Sequence, residues 1–278
     1  MNVLENRKIF GLSETLSQII LLILNKSITM RTAALFSSLL ALVSLQCCKT
    51  KDYSLSLDVS KGELNVLQHI QENQLERSKS PLYSPPREIR EKEFNTPELS
   101  LLVDSMYQVM VRKSGVGIAA NQLGKRLQVF IIEAKSDNPR YKVLGPVPKQ
   151  IFINPIITKV SETKKNFWHG CLSAQGEKRG NVATYEWLEY TCRDAMGNVK
   201  TGKLEGFAAV IFQHEFKHLM NGTYLDVAKE YSSKEDLDKG IALGKIPFFE
   251  PVSDSLPLLI EGYQIGETLN EFHNRKSM

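Results

Sequence analysis

The stretch "IFQHEFKHLMNG", residues 211–222, places two histidines four positions apart around a glutamate. Apolar residues from Phe207 to Leu219 spread over most of the circumference such a helix would have, which predicts a buried helix, and Asn221-Gly222 ends it. At 3.6 residues per turn, His214 and His218 project from the same side, one turn apart, so both can reach one ion. Glu215 lies about 100° round from His214. This is the HExxH spacing, in which two imidazoles hold a divalent ion and the carboxylate serves as general acid and base. The alternative is a helix that carries two histidines by chance, and a third ligand elsewhere in the chain would separate the two readings. Burial favours the metal, because unpaired histidines and a glutamate are costly in an apolar interior unless something satisfies them.

Outward from this helix, Thr96-Pro97 has the pattern of an N-cap followed by proline at the first helical position. Leu99, Leu102, Met106 and Val109 then recur at three- and four-residue spacing and predict a helix to about Arg112. A glycine-rich loop, "SGVGIAANQLG" (114–124), follows. Strand-like runs come next in "LQVFIIEA", "QIFINP" and "TYEWLEYTCRD", and "DAMGN" (194–198) reads as the turn of a hairpin. A short helix is expected around 66–75. Beyond Ala228, "KEYSSKEDLDKG" has helix-like charge spacing and "LPLLIEGYQIG" reads as a strand, with the last fifty residues forming an appendage.

The 278 residues are 42% hydrophobic and 24% charged, the balance of a soluble globular chain. A net charge of +4, with the basic residues scattered, is a solubility feature and implies no nucleic-acid partner. From Met30 the sequence "MRTAALFSSLLALVSLQCCKTKDYS" has the n-region and h-region of an export signal and is short for a membrane span. The paired Cys47 and Cys48 resemble the end of a bacterial lipoprotein signal, with Leu45 three residues before Cys48; Gln46 and Cys47 depart from the small residues usual there. An exported or membrane-anchored lipoprotein, attached through a lipidated cysteine, is therefore expected, with an uncleaved anchor or a cytoplasmic extension as alternatives. The resulting organisation is an N-terminal extension and signal (1–48), a tether (49–81), a catalytic domain (82–228) and a C-terminal extension (229–278). Two further cysteines, Cys171 and Cys192, are too few for a disulfide framework, though one bridge between them is conceivable.

Three segments in order, "GVGIAANQ" (115–122), "HGCLS" (169–173) and "QHEFKHL" (213–219), resemble the three motifs of peptide deformylases. "INP" (153–155), the Tyr190 to Asn198 segment and "NGTYLD" (221–226) fall between or after them in the expected order. The glycine loop also fits a loose dinucleotide-binding pattern, but a helix precedes it and a strand follows, the reverse of what that motif needs. The resemblance covers 82–228 and implies an α+β fold, with mixed or antiparallel sheets packed around the central buried helix. It implies Cys171 as third metal ligand beside His214 and His218, Glu215 as acid and base, and Gln122 with the backbone N–H of Leu172 as oxyanion donors. Losing one such donor typically costs about 3 kcal/mol. A thiolate and two imidazoles leave a fourth position for water, whose pKa such an ion lowers towards about 7. The implied metal is Fe2+, with Zn2+, Ni2+ or Co2+ as substitutes, and the implied substrate is an N-formyl-methionyl peptide. Gly115, Val116, Gly117, Ile118 and Gly170 would line its cleft, and Arg179 would contact its backbone.

Three positions depart from the family pattern. His169 stands where the family has glutamate, and Thr184 stands near where it has the arginine that pairs with that glutamate. Losing a buried pair whole is less damaging than leaving one partner alone. His169 is then either an extra ligand or a polar packing residue. Lys217 replaces an aspartate common before the second histidine, and would either weaken metal binding or face solvent. Two alternatives to deformylation remain: a metal-binding module without turnover, and a hydrolase of another N-acyl or peptide substrate.

Overall fold

Residues 65–71 are extended, not helical. Residues 65–71, where a helix was expected, form a strap whose Leu67 and His69 N–H groups donate to the carbonyls of Gln122 and Ser173, both at 2.7 Å. Those two bonds hold the backbone straight until Asn73 caps a short helix, α1 (Gln74–Lys79), by accepting from the N–H of Glu76. These coordinates are a computed structural model that describes residues 52–57, 65–71, 73–137, 144–174, 178–245, 250–252 and 255–277. The expected signal, with Cys47 and Cys48, lies outside the described residues. Parts of the expected tether are docked: Leu57 and Val66 are buried, and the Asp52 carbonyl accepts from the Arg126 N–H at 2.8 Å. No helix among the described residues is long and apolar enough to cross a membrane.

Helix α2 (Pro97–Arg112) starts where the sequence predicts, with the Thr96 hydroxyl accepting from the Leu99 N–H and Pro97 at the first position. Part of the expected glycine loop is regular: β1 (Gly117–Ala119) runs into a 3-10 turn at Ala120–Leu123. Strands β2 (Val129–Ala134), β3 (Val147–Val160), β4 (Lys164–His169), β5 (Arg179–Tyr185), β6 (Trp187–Arg193) and β7 (Val199–Glu205) follow, then helix α3 (Gly206–Leu219). Strand β8 (Glu230–Ser232) and helices α4 (Lys234–Ala242) and α5 (Leu269–Ser277) complete the order.

The strands form a five-stranded sheet, β1-β2-β3-β6-β7, and a three-stranded one, β4-β5-β8. Every pairing between these strands is antiparallel, so the sheets are not mixed. The run 184–194, expected as one strand, breaks at Glu186. Tyr185 pairs with Lys164 in the small sheet, whereas Trp187 pairs with Glu205 in the large one. The Ser161 hydroxyl holds this corner by accepting the Glu186 N–H at 2.9 Å. The hairpin expected at 194–198 is present, with Arg193 opposite Val199.

Helix α3 is buried almost throughout. Phe212 meets Phe130 and Phe152 edge-on at 5.0 and 4.9 Å, which seats one face of the helix on the large sheet. Gln213 exchanges two hydrogen bonds, each 2.9 Å, with the backbone N–H and carbonyl of Tyr185, fixing the helix to the small sheet. Described parts of the C-terminal fifty residues, expected as an appendage, enter this core. Leu259, Ile260, Tyr263, Leu269 and Phe272 are buried, and the Tyr263 ring meets Phe216 of α3 edge-on at 4.9 Å. The stretch 256–266 is not the expected strand: Gly262 and Gly266, at φ 82° and 96°, turn the chain, a conformation glycine adopts without steric cost.

Truncating Phe272 to alanine is expected to destabilise the protein by about 3 kcal/mol, measured by urea unfolding. Leu243→Ala, at an exposed site, is expected to change stability by less than about 0.5 kcal/mol.

Candidate metal centre and cleft

Three donors converge where the end of β4 passes α3. One ligand atom from each of Cys171, His214 and His218 lies within 4.8 Å of the others. His218 directs Nδ1 at the Gly222 carbonyl, 3.0 Å away, and Nε2 at the Cys171 sulfur, 3.3 Å away. The Nδ1–H therefore donates to the carbonyl and the Nε2 lone pair is left for an ion. The sulfur also accepts from the Ser173 N–H at 3.3 Å and the Gln122 amide at 3.5 Å, contacts that favour a thiolate. Cys171 and Cys192 are both free thiols, so the conceivable bridge is absent, and Cys192 packs in the core.

Burial keeps the imidazoles neutral, as ligands must be. Desolvation pushes His214 down to about 4, with the positive charge of Arg179 adding to it. The same cause holds His218 well below the usual histidine value, with His214 contributing. Glu215 moves the other way: burial holds its carboxyl well above 4.5, and its Oε2 has no hydrogen-bond partner among the described residues. A buried acid with an unsatisfied oxygen is poised to take or give a proton at a reacting group.

Gly115, Val116, Gly117, Gln122, Gly170, Cys171, Leu172, His214 and Glu215, all singled out in the sequence, line one cleft. Gly117 has a steric reason: a Cβ there would overlap the Glu215 carboxylate. Gly170 has another, since a Cβ would overlap the Arg179 guanidinium. Strand β1 is an edge strand that pairs with β2 alone among the described strands, and its Gly117 lines the cleft. Gln122 is held by its own turn: its Oε1 accepts the Ala119 N–H at 2.8 Å and its Nε2 donates to the Ser173 hydroxyl at 3.0 Å.

Two expectations need correction, and at two positions one of the open readings is ruled out. Arg179 is buried behind Gly170 and does not line the cleft. Ile118 turns its side chain into the second apolar core. His169 is not an extra ligand; its Nδ1 faces His214 Nδ1 at 3.1 Å, and it stands outside the set of converging donors. Lys217 does not face solvent but is buried close to Gly222, where burial lowers its pKa and Asp226 offsets part of that effect. The sequence reading missed the apolar wall of the cleft, Phe167, Phe207, Val210 and Ile211. Phe167 sits on β4, whose "KKNFWH" lacks a clean alternation; the other three were assigned to the core of α3.

Residues 75–234 match the family model for polypeptide deformylase. The chain belongs to the polypeptide deformylase family. A peptide deformylase of Leptospira biflexa is 34% identical over 154 residues, covering 54% of this chain and 86% of that protein. Peptide deformylase 1 of Bordetella pertussis is 39% identical over 131 residues, covering 47% and 73%. The Met-Ala-Ser-bound class I type b peptide deformylase of Acinetobacter baumannii matches with TM-score 0.53 at 28% identity, over 59% of this chain and 96% of that one. As a deformylase, the protein is an enzyme that removes the formyl group from N-formyl-methionyl peptides. The donor set suits the metal dependence of that family: one thiol and two neutral imidazoles, beside a carboxyl with an unpartnered oxygen.

The opposite shifts predict opposite pH dependences for the metal-free protein. The depressed His214 contributes stability that is full above 6.5 and declines as pH falls towards about 4. The elevated Glu215 contributes stability that is full below 4.5 and is lost as pH rises through its folded value. Metal-free Glu215→Gln is therefore expected to exceed wild type in Tm at pH 7–8, by roughly 2–4 °C for each kcal/mol relieved, with the gap closing near pH 4.5. Thermal scans across this range check the sign.

Proposed function

We propose that the cleft carries out deformylation with Cys171, His214 and His218 holding the metal and Glu215 moving the proton. The observation that carries this assignment is the convergence of the three donors beside a buried carboxyl that Gly117 allows to reach the cleft. Fe2+ is the proposed ion, with Zn2+, Ni2+ or Co2+ able to occupy the same donors. When bound, it supplies Lewis-acid polarisation and activation of water.

The chain's own residues do the rest. The peptide lies along β1, with the backbone of Gly115 to Ile118 and of Gly170 alongside it and the methionine side chain against Phe167, Phe207, Val210 and Ile211. Glu215 takes a proton as water adds to the formyl carbon and returns it to the amine nitrogen when the C–N bond breaks, releasing formate. The Gln122 amide and the Leu172 N–H stabilise the negative oxygen formed in between. The Arg179 guanidinium fills the space a Cβ on Gly170 would take, which fixes the backbone of that glycine beside the peptide.

The export-like segment supports a further assignment. We propose that the protein is exported and anchored through lipidation of Cys48 or Cys47, which would place this deformylase at a membrane surface. Fractionation of cells fed a labelled fatty acid tests it: label lost in a Cys47→Ser/Cys48→Ser variant supports anchoring, and an unlabelled cytoplasmic protein contradicts it.

For the activity, protein from Lys49 onward loaded anaerobically with iron, and separately with nickel or zinc, is expected to release formate from formyl-Met-Ala-Ser. Glu215→Ala should reduce kcat by at least about 100-fold. Faster hydrolysis of the acetylated peptide, or no turnover with any metal, would contradict deformylation.

A further inference from the structure

His169 is buried and lies outside the donor set, yet it is bonded directly to a member of that set. The His169 and His214 rings are 23° from coplanar with centroids 5.3 Å apart, while their Nδ1 atoms are 3.1 Å apart. The centroid separation exceeds the N···N distance by about the width of one ring, the geometry of nitrogens facing head-on and not of stacked faces. With Nδ1 engaged there, His214 has Nε2 left for the metal. A neutral imidazole that binds a metal through one nitrogen carries its proton on the other. His214 therefore donates from Nδ1, and His169 must accept.

We infer that His169 is a positioning residue: an outer imidazole whose Nδ1 accepts the Nδ1–H of His214 and so fixes the tautomer and ring angle of that ligand. This inference rests on the metal-centre assignment above. Two contacts hold the His169 ring for the task, Phe167 edge-on at 5.0 Å and Tyr224 stacked at 6.0 Å. The Tyr224 hydroxyl is in turn fixed to the Lys178 carbonyl. As acceptor, His169 must carry its own proton on Nε2, and that atom has no hydrogen-bond partner among the described residues. A residue chosen for packing alone would turn its protonated nitrogen towards an acceptor; here the ring orientation serves His214 instead.

The test needs no substrate, so its outcome is independent of whether the enzyme deformylates. Nitrogen-15 NMR of the zinc-loaded protein is expected to show His214 protonated at Nδ1, His169 protonated at Nε2, and a scalar coupling between the two Nδ1 nuclei across the hydrogen bond. His169 protonated at Nδ1 would overturn the inference, and this measurement on the unaltered protein stands even if variants misfold. Zinc affinity, read by competition with a chromophoric chelator, is expected to fall about 10–100-fold in His169→Phe. His169→Gln, whose amide oxygen can accept the same proton, should restore most of it, along with the visible spectrum of the cobalt form. An unchanged affinity in His169→Phe would equally overturn it.

Discussion

The desolvation of one polar face on an otherwise apolar helix governs this structure. Phe212 seats α3 on the large sheet and Phe216 packs against Tyr263 of the C-terminal segment, and that packing carries His214, Glu215 and His218 out of water with it. Burial makes both histidines neutral, the state metal ligation requires, and raises the pKa of Glu215, which strengthens its carboxylate as a base for the proton it takes and returns. What surrounds the face compensates for it. The Gly222 carbonyl orients His218, His169 meets His214, and the Asn121 amide donates to the His218 carbonyl at 2.6 Å to hold the end of the helix. His273 of α5 adds a bond at 2.8 Å to the Leu219 carbonyl, so the C-terminal segment helps to close the same helix.

The site was legible because its residues obey local rules. Helical spacing put His214 and His218 on one face, and the ordered motifs at 115–122 and 169–173 supplied the cleft and the thiol. The fold was legible wherever capping or turn chemistry is local, as at Thr96-Pro97 and at Asp194 to Asn198. It was illegible where tertiary contacts decide. The strap 65–71 is extended because Gln122 and Ser173 accept its N–H groups, which no property of its own residues announces. Similarly, 184–194 has uniform strand character, and its division between two sheets depends on Ser161, more than twenty residues away. The C-terminal fifty residues are polar on average, and the few apolar ones that enter the core, Tyr263 and Phe272 among them, are too sparse to form a periodic signal.

The departures from the family pattern also acquire physical sense. A carboxylate and a guanidinium are both absent at 169 and 184, and the neutral His169 and Thr184 leave no unpaired charge behind. Thr184 is fully buried opposite Lys165 in the β4-β5 ladder, four residues along the strand from Gly180, which pairs with His169. Lys217 lies near Asp226, which also accepts from Arg77 at 2.7 Å.

The central claim is that Cys171, His214 and His218 form one metal centre, and X-ray absorption on the zinc-loaded protein tests it most directly. The account predicts one sulfur at about 2.3 Å and two imidazole nitrogens at about 2.0–2.1 Å, with the sulfur shell lost in Cys171→Ala. A shell of three imidazoles without sulfur in the unaltered protein would contradict it, because His169 would then be a ligand and the cleft would be built around a different ion site.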